Sequence, residues 1–181
     1  RPIGLLVNAL NKMGADIRYL GNMGYPPVRI KGQELIGGRI KISGEVSSQF
    51  LTAVALVAPY TKEGVEMIIQ GNAVSRHYFE MTLKLMAQSC ITVRDEGQRV
   101  YIEPGECKLP ERIEVEADWS AASYWYSMAA LAKDADIKLN YLTYPSLQPD
   151  AAVSRIYKGF GVGTLYSSAG AEVVWEGEAP H

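Results

Sequence analysis

A long repeat constrains this chain more than any other feature. By hydrophobic period, residues 38–43 read as a strand, 48–58 as an apolar helix, 64–69 as a strand and 76–88 as an amphipathic helix, with strands at 91–95 and 99–103 after them. The order then restarts with strand 111–116, helix 120–133, strand 136–142, helix 149–160 and strands 163–167 and 171–176. Ser47 and Ser120, at the starts of the two first helices, stand 73 residues apart, as do Ser75 and Gln148 at the starts of the second helices. That period is longer than the common solenoid repeats and implies a β-α-β-α-β-β unit used more than once. The N-terminal segment reads as the back half of a further copy. Pro2 stands at a first-turn position, Ile3, Leu6, Val7, Leu10 and Met13 keep helical spacing, Gly14 ends the helix, and strands follow at 16–20 and 27–31. No linker separates the copies, and Pro104 to Pro110 is the best boundary between the two complete ones.

The two helix types differ. FLTAVALVA and SAASYWYSMAALA are apolar or small all round, the composition of buried helices. RHYFEMTLKLM and DAAVSRIYKGF are amphipathic. Several copies would bury the first helices together and leave the sheets outside, an inside-out α/β arrangement. Such a helix without neighbours leaves an apolar patch, so some self-association is expected.

Ser47-Ser48-Gln49 stands where a strand pattern ends and the apolar helix begins. Two hydroxyls and a carboxamide there meet free backbone N–H groups and the positive end of the helix dipole, a way to hold phosphate or carboxylate without a metal. Simple capping by Ser is the competing reading. Net charge is −2, but residues 1–41 carry seven Lys/Arg against two Asp/Glu, which suits small anionic ligands better than nucleic acid. A chance cluster on a solvated face explains the same charge. Cys90 and Cys107 are the only cysteines and form no disulfide framework, so a reduced, cytoplasmic setting is expected. His77 and His181 belong to no metal-ligand spacing, and the longest apolar run is too short for a bilayer. The chain opens on Arg1-Pro2 without an initiating Met and reads as a piece of something longer.

RPIGLLVNAL, YPPVRIKG, SGEVSSQFLTAVALVAP, GNAVSRHYFEMTL and VEADWSAASYWYSMAAL resemble consecutive blocks of the 5-enolpyruvylshikimate-3-phosphate synthase family, in its order and spacing. The resemblance implies an enolpyruvyl transferase-like inside-out α/β barrel of two halves, each of three β-α-β-α-β-β units. Residues 1–116 would belong to one half and 117–181 would be the first unit of the other. It also implies transfer of the enolpyruvyl group of phosphoenolpyruvate to the 5-hydroxyl of shikimate 3-phosphate, without an organic cofactor. Arg1 matches a phosphoenolpyruvate-contacting arginine. Ser47 and Ser48 match the pair that holds the shikimate phosphate, and Gln49 the residue between the substrates. Ser75 matches a second phosphate hydroxyl, with N-capping as its local alternative. Tyr78 matches an aromatic beside the shikimate ring, with core packing as its alternative. Asp118 and Ser120 match a motif read here as capping.

The chain departs from the family at His77, usually Pro, at Ala121, usually Ser, at Trp119, usually small, and at Ser89-Cys90, usually Phe-Gly. His77 and Glu80 at helical spacing read as a solvated pair. The family's N-terminal Lys-Ser and Arg, and its later general base Asp and general acid Lys, have no counterpart; Asp150 lies in the wrong unit. No residue of the chain is therefore read as catalytic, and the missing units of a longer parent are its expected partners. Alternatives are a UDP-N-acetylglucosamine enolpyruvyl transferase, whose characteristic Cys loop is not seen here, and a non-catalytic binding or assembly module of the same fold.

Overall fold

The structure, a computed structural model, describes residues 2–109 and 111–177. It divides into two compact units, Arg1–Pro110 and Glu111–His181.

In the first unit, helix α1 (Gly4–Lys12) leads into an antiparallel pair, β1 (Asp16–Tyr19) and β2 (Val28–Lys31). The repeat proper follows as β3 (Gly38–Ser43), α2 (Ser48–Val57), β4 (Val65–Gln70), α3 (Arg76–Gln88), β5 (Val93–Asp95) and β6 (Arg99–Ile102). The sheet order is β3-β4-β6-β5; β3 and β4 run parallel, and β6 is antiparallel to both its neighbours. Alternation decides the faces. Ile40, Ile42, Val65, Met67, Ile69, Val100 and Ile102 are buried beneath the helices, while Arg39 and Lys41 face solvent. Leu51, Val54 and Ala55 of α2, Phe79, Leu83 and Met86 of α3, and Ala9 and Met13 at α1 complete that core. Helix α1 starts later than the pattern suggests, because Ile3 precedes it as N-cap and spends its own N–H on Gly24 O at 2.8 Å.

In the second unit, α4 (Trp119–Ala132), β7 (Asp136–Asn140), α5 (Ala152–Lys158), β8 (Val162–Ser167) and β9 (Gly170–Trp175) form a three-stranded antiparallel sheet, β7-β9-β8, under two helices. The strand expected at 111–116 is not formed, and residues 112–118 have no regular structure. The backbone bond from Ala117 N–H to Tyr141 O, 2.8 Å, marks where the pairing would begin. In β3 the inward Ile40 and Ile42 share a cluster with Ala9 and Met13. The second unit's cluster holds no helix that precedes residue 111, so Ile113 and Val115 stay exposed and no burial drives the ladder.

Helix α4 is covered on one face only. Trp119, Ala122, Tyr126 and Ala129 are buried, whereas Tyr124, Trp125, Met128 and Leu131 form an exposed apolar stripe. Tyr126 is the pivot of the inner face. Its hydroxyl lies 2.8 Å from Thr164 Oγ1 and its ring packs at 5.7 Å on Tyr157, whose own hydroxyl meets Ser127 at 2.7 Å. Burial pushes the Tyr126 phenol up to about 12, opposed by the Thr164 hydrogen bond. The folded state thus holds this proton more tightly than the unfolded chain. The resulting stability is complete below about pH 10 and is lost as pH rises towards the folded value. Thermal melts followed across pH 9–11.5 are expected to show that loss, and Tyr126→Phe is expected to flatten it; an unchanged slope in the variant would exclude Tyr126 as the cause.

Candidate functional site

The parallel β3–β4 pair sets up the site. Its register ends on Ser43 opposite Gln70, so α2 and α3 both start from the C-terminal edge of the two strands. That edge is where open α/β sheets place ligands. The two loops are stitched together by Gly44, whose N–H donates to Gln70 O and whose carbonyl accepts from Val74 N–H, each at 3.0 Å. A Cβ on Gly44 would lie 2.8 Å from Ala73 Cα and 2.9 Å from Ile69 Cγ2, so only glycine permits this approach.

Ser47, Ser48, Gln49, Ser75 and Tyr78 therefore stand on two helix starts at one edge. Ser47 is the N-cap of α2, and its hydroxyl accepts from Gln49 N–H at 3.2 Å. The capping reading holds for Ser47. Ser48 is buried at 9% exposure, and among the described residues neither its N–H nor its hydroxyl is hydrogen-bonded. Gln49 is exposed and its carboxamide makes no bond among them either. Ser75 precedes α3 in the left-handed region (φ 54°, ψ 40°) and makes no side-chain cap, so the N-capping alternative fails there. A non-glycine residue in that region is uncommon and is held by its surroundings. Tyr78 is 42% exposed, which excludes core packing; its N–H donates to Ser75 O at 3.2 Å. Arg1 lies outside the described residues.

Arg76 was not singled out by sequence reasoning. Its guanidinium donates to Glu80 at 2.8 Å and to both oxygens of Asp95, at 2.6 and 2.7 Å. This clamp ties the first turn of α3 to β5 beside Ser75. The Arg76–Glu80 spacing was its only sequence signal. His77, read as the partner of Glu80, reaches that carboxylate at 3.5 Å as a second neighbour.

The second unit has the same helix starts, closed from within. Asp118, the N-cap of α4, accepts from Ser120 N–H at 2.7 Å. The match between Ser47 and Ser120 as caps is thus corrected: Asp118 is the counterpart of Ser47, Trp119 of Ser48 and Ser120 of Gln49. Gln148, the counterpart of Ser75, accepts from Trp119 N–H and donates to Ala117 O, both at 2.9 Å. Carboxylate and carboxamide together oppose the dipole and accept the first two N–H groups of that helix. At α2 the cap is an uncharged serine and the residue in Gln148's place is the shorter Ser75, so the dipole and the Ser48 N–H remain available.

Among the described residues no group of three or more His, Cys, Asp or Glu could hold a metal ion, and no helix is long and apolar enough to cross a membrane.

The description of the EPSP synthase family (3-phosphoshikimate 1-carboxyvinyltransferase) matches residues 1–179. The 3-phosphoshikimate 1-carboxyvinyltransferase of Bacteroides fragilis is 43% identical over 173 residues, 94% of this chain and 42% of its own. That of Neisseria gonorrhoeae is 40% identical over 178 residues, 97% of this chain and 39% of its own. Among solved structures, EPSP synthase from Acinetobacter baumannii superposes with a TM-score of 0.73 at 24% identity, covering 98% of this chain and 40% of that one. The inside-out α/β fold is therefore shared. This chain belongs to the EPSP synthase family and spans about two fifths of the length of the relatives it matches.

Gly44→Ala is expected to force the two loops apart and to destabilise the first unit by about 1–3 kcal/mol, the usual cost of overpacking. Denaturant unfolding measures it, and a midpoint equal to wild type would show that the loops yield freely.

Proposed function

We propose that this chain carries the shikimate 3-phosphate wall of an enzyme that transfers the enolpyruvyl group of phosphoenolpyruvate to the 5-hydroxyl of shikimate 3-phosphate. The observation that supports it is the contrast between the two helix starts: Gln148 and Asp118 accept the first two N–H groups of α4, while among the described residues α2 keeps the Ser48 N–H and hydroxyl unspent. In this reading Ser48 and Ser75 hold the phosphate, with Ser47 shaping the turn. Gln49 reaches the space between the two substrates and Tyr78 lies along the carbocycle. Arg1 contacts phosphoenolpyruvate. In the reaction the 5-hydroxyl gives its proton to the general base as its oxygen adds to the phosphate-bearing carbon, and the methylene carbon takes a proton from the general acid. The tetrahedral adduct then loses phosphate and a proton of the new methyl group, which restores the carbon–carbon double bond, now in an enol ether. Preorganised N–H and hydroxyl donors hold the dianionic substrate through this sequence.

Residues 1–116 would serve one half of the complete enzyme and 117–181 the other, with further units of a longer chain as partners. Those units would cover the exposed stripe of α4 and supply the general acid and base. The two free thiols suit a reduced, cytoplasmic setting.

Calorimetric titration with shikimate 3-phosphate tests the site. Wild type is expected to bind, and Ser48→Ala to weaken binding about tenfold, the loss of a hydrogen bond to a charged group. Ser75→Gln is expected to weaken it further by closing the Ser48 N–H as Gln148 closes that of Trp119. Equal affinity in all three would remove the phosphate role. With both substrates this chain alone is expected to release no phosphate above background; turnover would show that the acid–base groups lie within it after all.

A further inference from the structure

Cys90 and Cys107 are the chain's only cysteines, and both are exposed. Neither takes part in the site above. Helix α3 ends in a Schellman motif: Cys90 N–H donates to Ala87 O at 3.2 Å and Ile91 N–H to Met86 O at 3.1 Å. Cys90 occupies its left-handed position, with φ 65°, where glycine is the usual residue. The thiol is thus carried on a backbone fixed by the hydrogen bonds of the helix end. Cys107 lies on the segment after β6, which is held in turn by bonds from Glu103 N–H to Thr92 O, Gly105 N–H to Pro59 O and Lys108 N–H to Ser89 O, at 3.1, 3.0 and 2.9 Å.

The last of these bonds joins the residue before Cys90 to the residue after Cys107. With standard covalent geometry on either side of that bond, the Cα atoms of the two cysteines stand no more than about 8 Å apart. A disulfide spans Cα separations of about 4.4–6.8 Å, inside that limit. The two cysteines of the chain are therefore held on neighbouring backbone segments at the surface, joined by a direct backbone hydrogen bond.

We propose that Cys90 and Cys107 form a reversible dithiol–disulfide site whose co-reactant is a low-molecular-weight disulfide of the glutathione type. The thiolate of one cysteine attacks the small disulfide, forming a mixed disulfide and releasing one small thiol, which takes up the proton. The thiolate of the second cysteine attacks the protein sulfur of that mixed disulfide and releases the second small thiol. The chain loses two electrons and two protons, and the small disulfide gains them. The bridge fastens the end of α3 to the segment after β6 and closes the β5–β6 hairpin into a covalent loop.

The full chain is equilibrated with reduced and oxidised glutathione, quenched with an alkylating agent and analysed by peptide mass spectrometry. An intramolecular Cys90–Cys107 link is expected as the main oxidised form, with an equilibrium constant at least about tenfold higher in native buffer than in guanidinium, because the fold holds the thiols together. Cys90→Ser and Cys107→Ser are each expected to take up one glutathione and form no link. A native constant no higher than the denatured one overturns the proposal. So does a wild-type chain that accumulates two glutathione adducts, or that links to a second chain instead.

Discussion

The parallel pairing of β3 with β4 is the constraint on which the first unit depends. It is closed at both ends by glycines that admit no side chain. At the lower end, Gly37 adopts φ 91°, and a Cβ there would stand 2.2 Å from Gly64 O. At the upper end Gly44 brings its loop against Ala73. With both ends pinned, the register from Gly38–Val65 to Ser43–Gln70 cannot slip by a residue without turning either Ile40 and Ile42 or Met67 and Ile69 to solvent. The same register brings the starts of α2 and α3 level. Core packing and placement of the candidate phosphate site are thus consequences of one ladder.

The second unit shows what that arrangement does when no ligand is to be held. Its helix start spends a carboxylate and a carboxamide on its own N–H groups and buries Trp119 where the first unit has Ser48. The exchange is not free of cost. Among the described residues the indole N–H of Trp119 is buried without a partner, worth about 1–3 kcal/mol against folding. The large ring offsets this by apolar burial, and it packs 6.4 Å from Tyr166. One backbone plan therefore serves as an open donor cluster in one copy and as a packing joint in the other. The difference rests on three side chains at each start.

Most of the fold was legible from periodicity. Strand β3 and helix α3 fall on the residues the pattern marks, because alternating burial and amphipathic spacing each point to one structure there. The strand expected at 111–116 was not legible as absent. Its alternation is as good as that of β3, and what it lacks is a covering helix, which no local pattern records. The helix starts were legible as capped turns but not in register. A serine-for-serine alignment put Ser120 opposite Ser47, whereas the cap in the second copy is Asp118, two residues earlier. That shift hid the correspondence of Gln148 with the trapped N–H of Trp119. Arg76 escaped for a related reason: its second partner, Asp95, is 19 residues away and meets it only once β5 is folded beside α3.

Helix α4 carries more apolar surface than its own unit covers. An amphipathic helix needs one apolar stripe, and α4 has its stripe in Trp119, Ala122, Tyr126 and Ala129, with Tyr126 and Ser127 finding hydroxyl partners below. Tyr124, Trp125, Met128 and Leu131 add nothing to that packing, and at 46–85% exposure they carry a standing cost in water. A sequence that only had to cap a three-stranded sheet would place charges there, as α5 does with the exposed Arg155 and Lys158. Two apolar faces on one helix are the composition of an element packed on both sides.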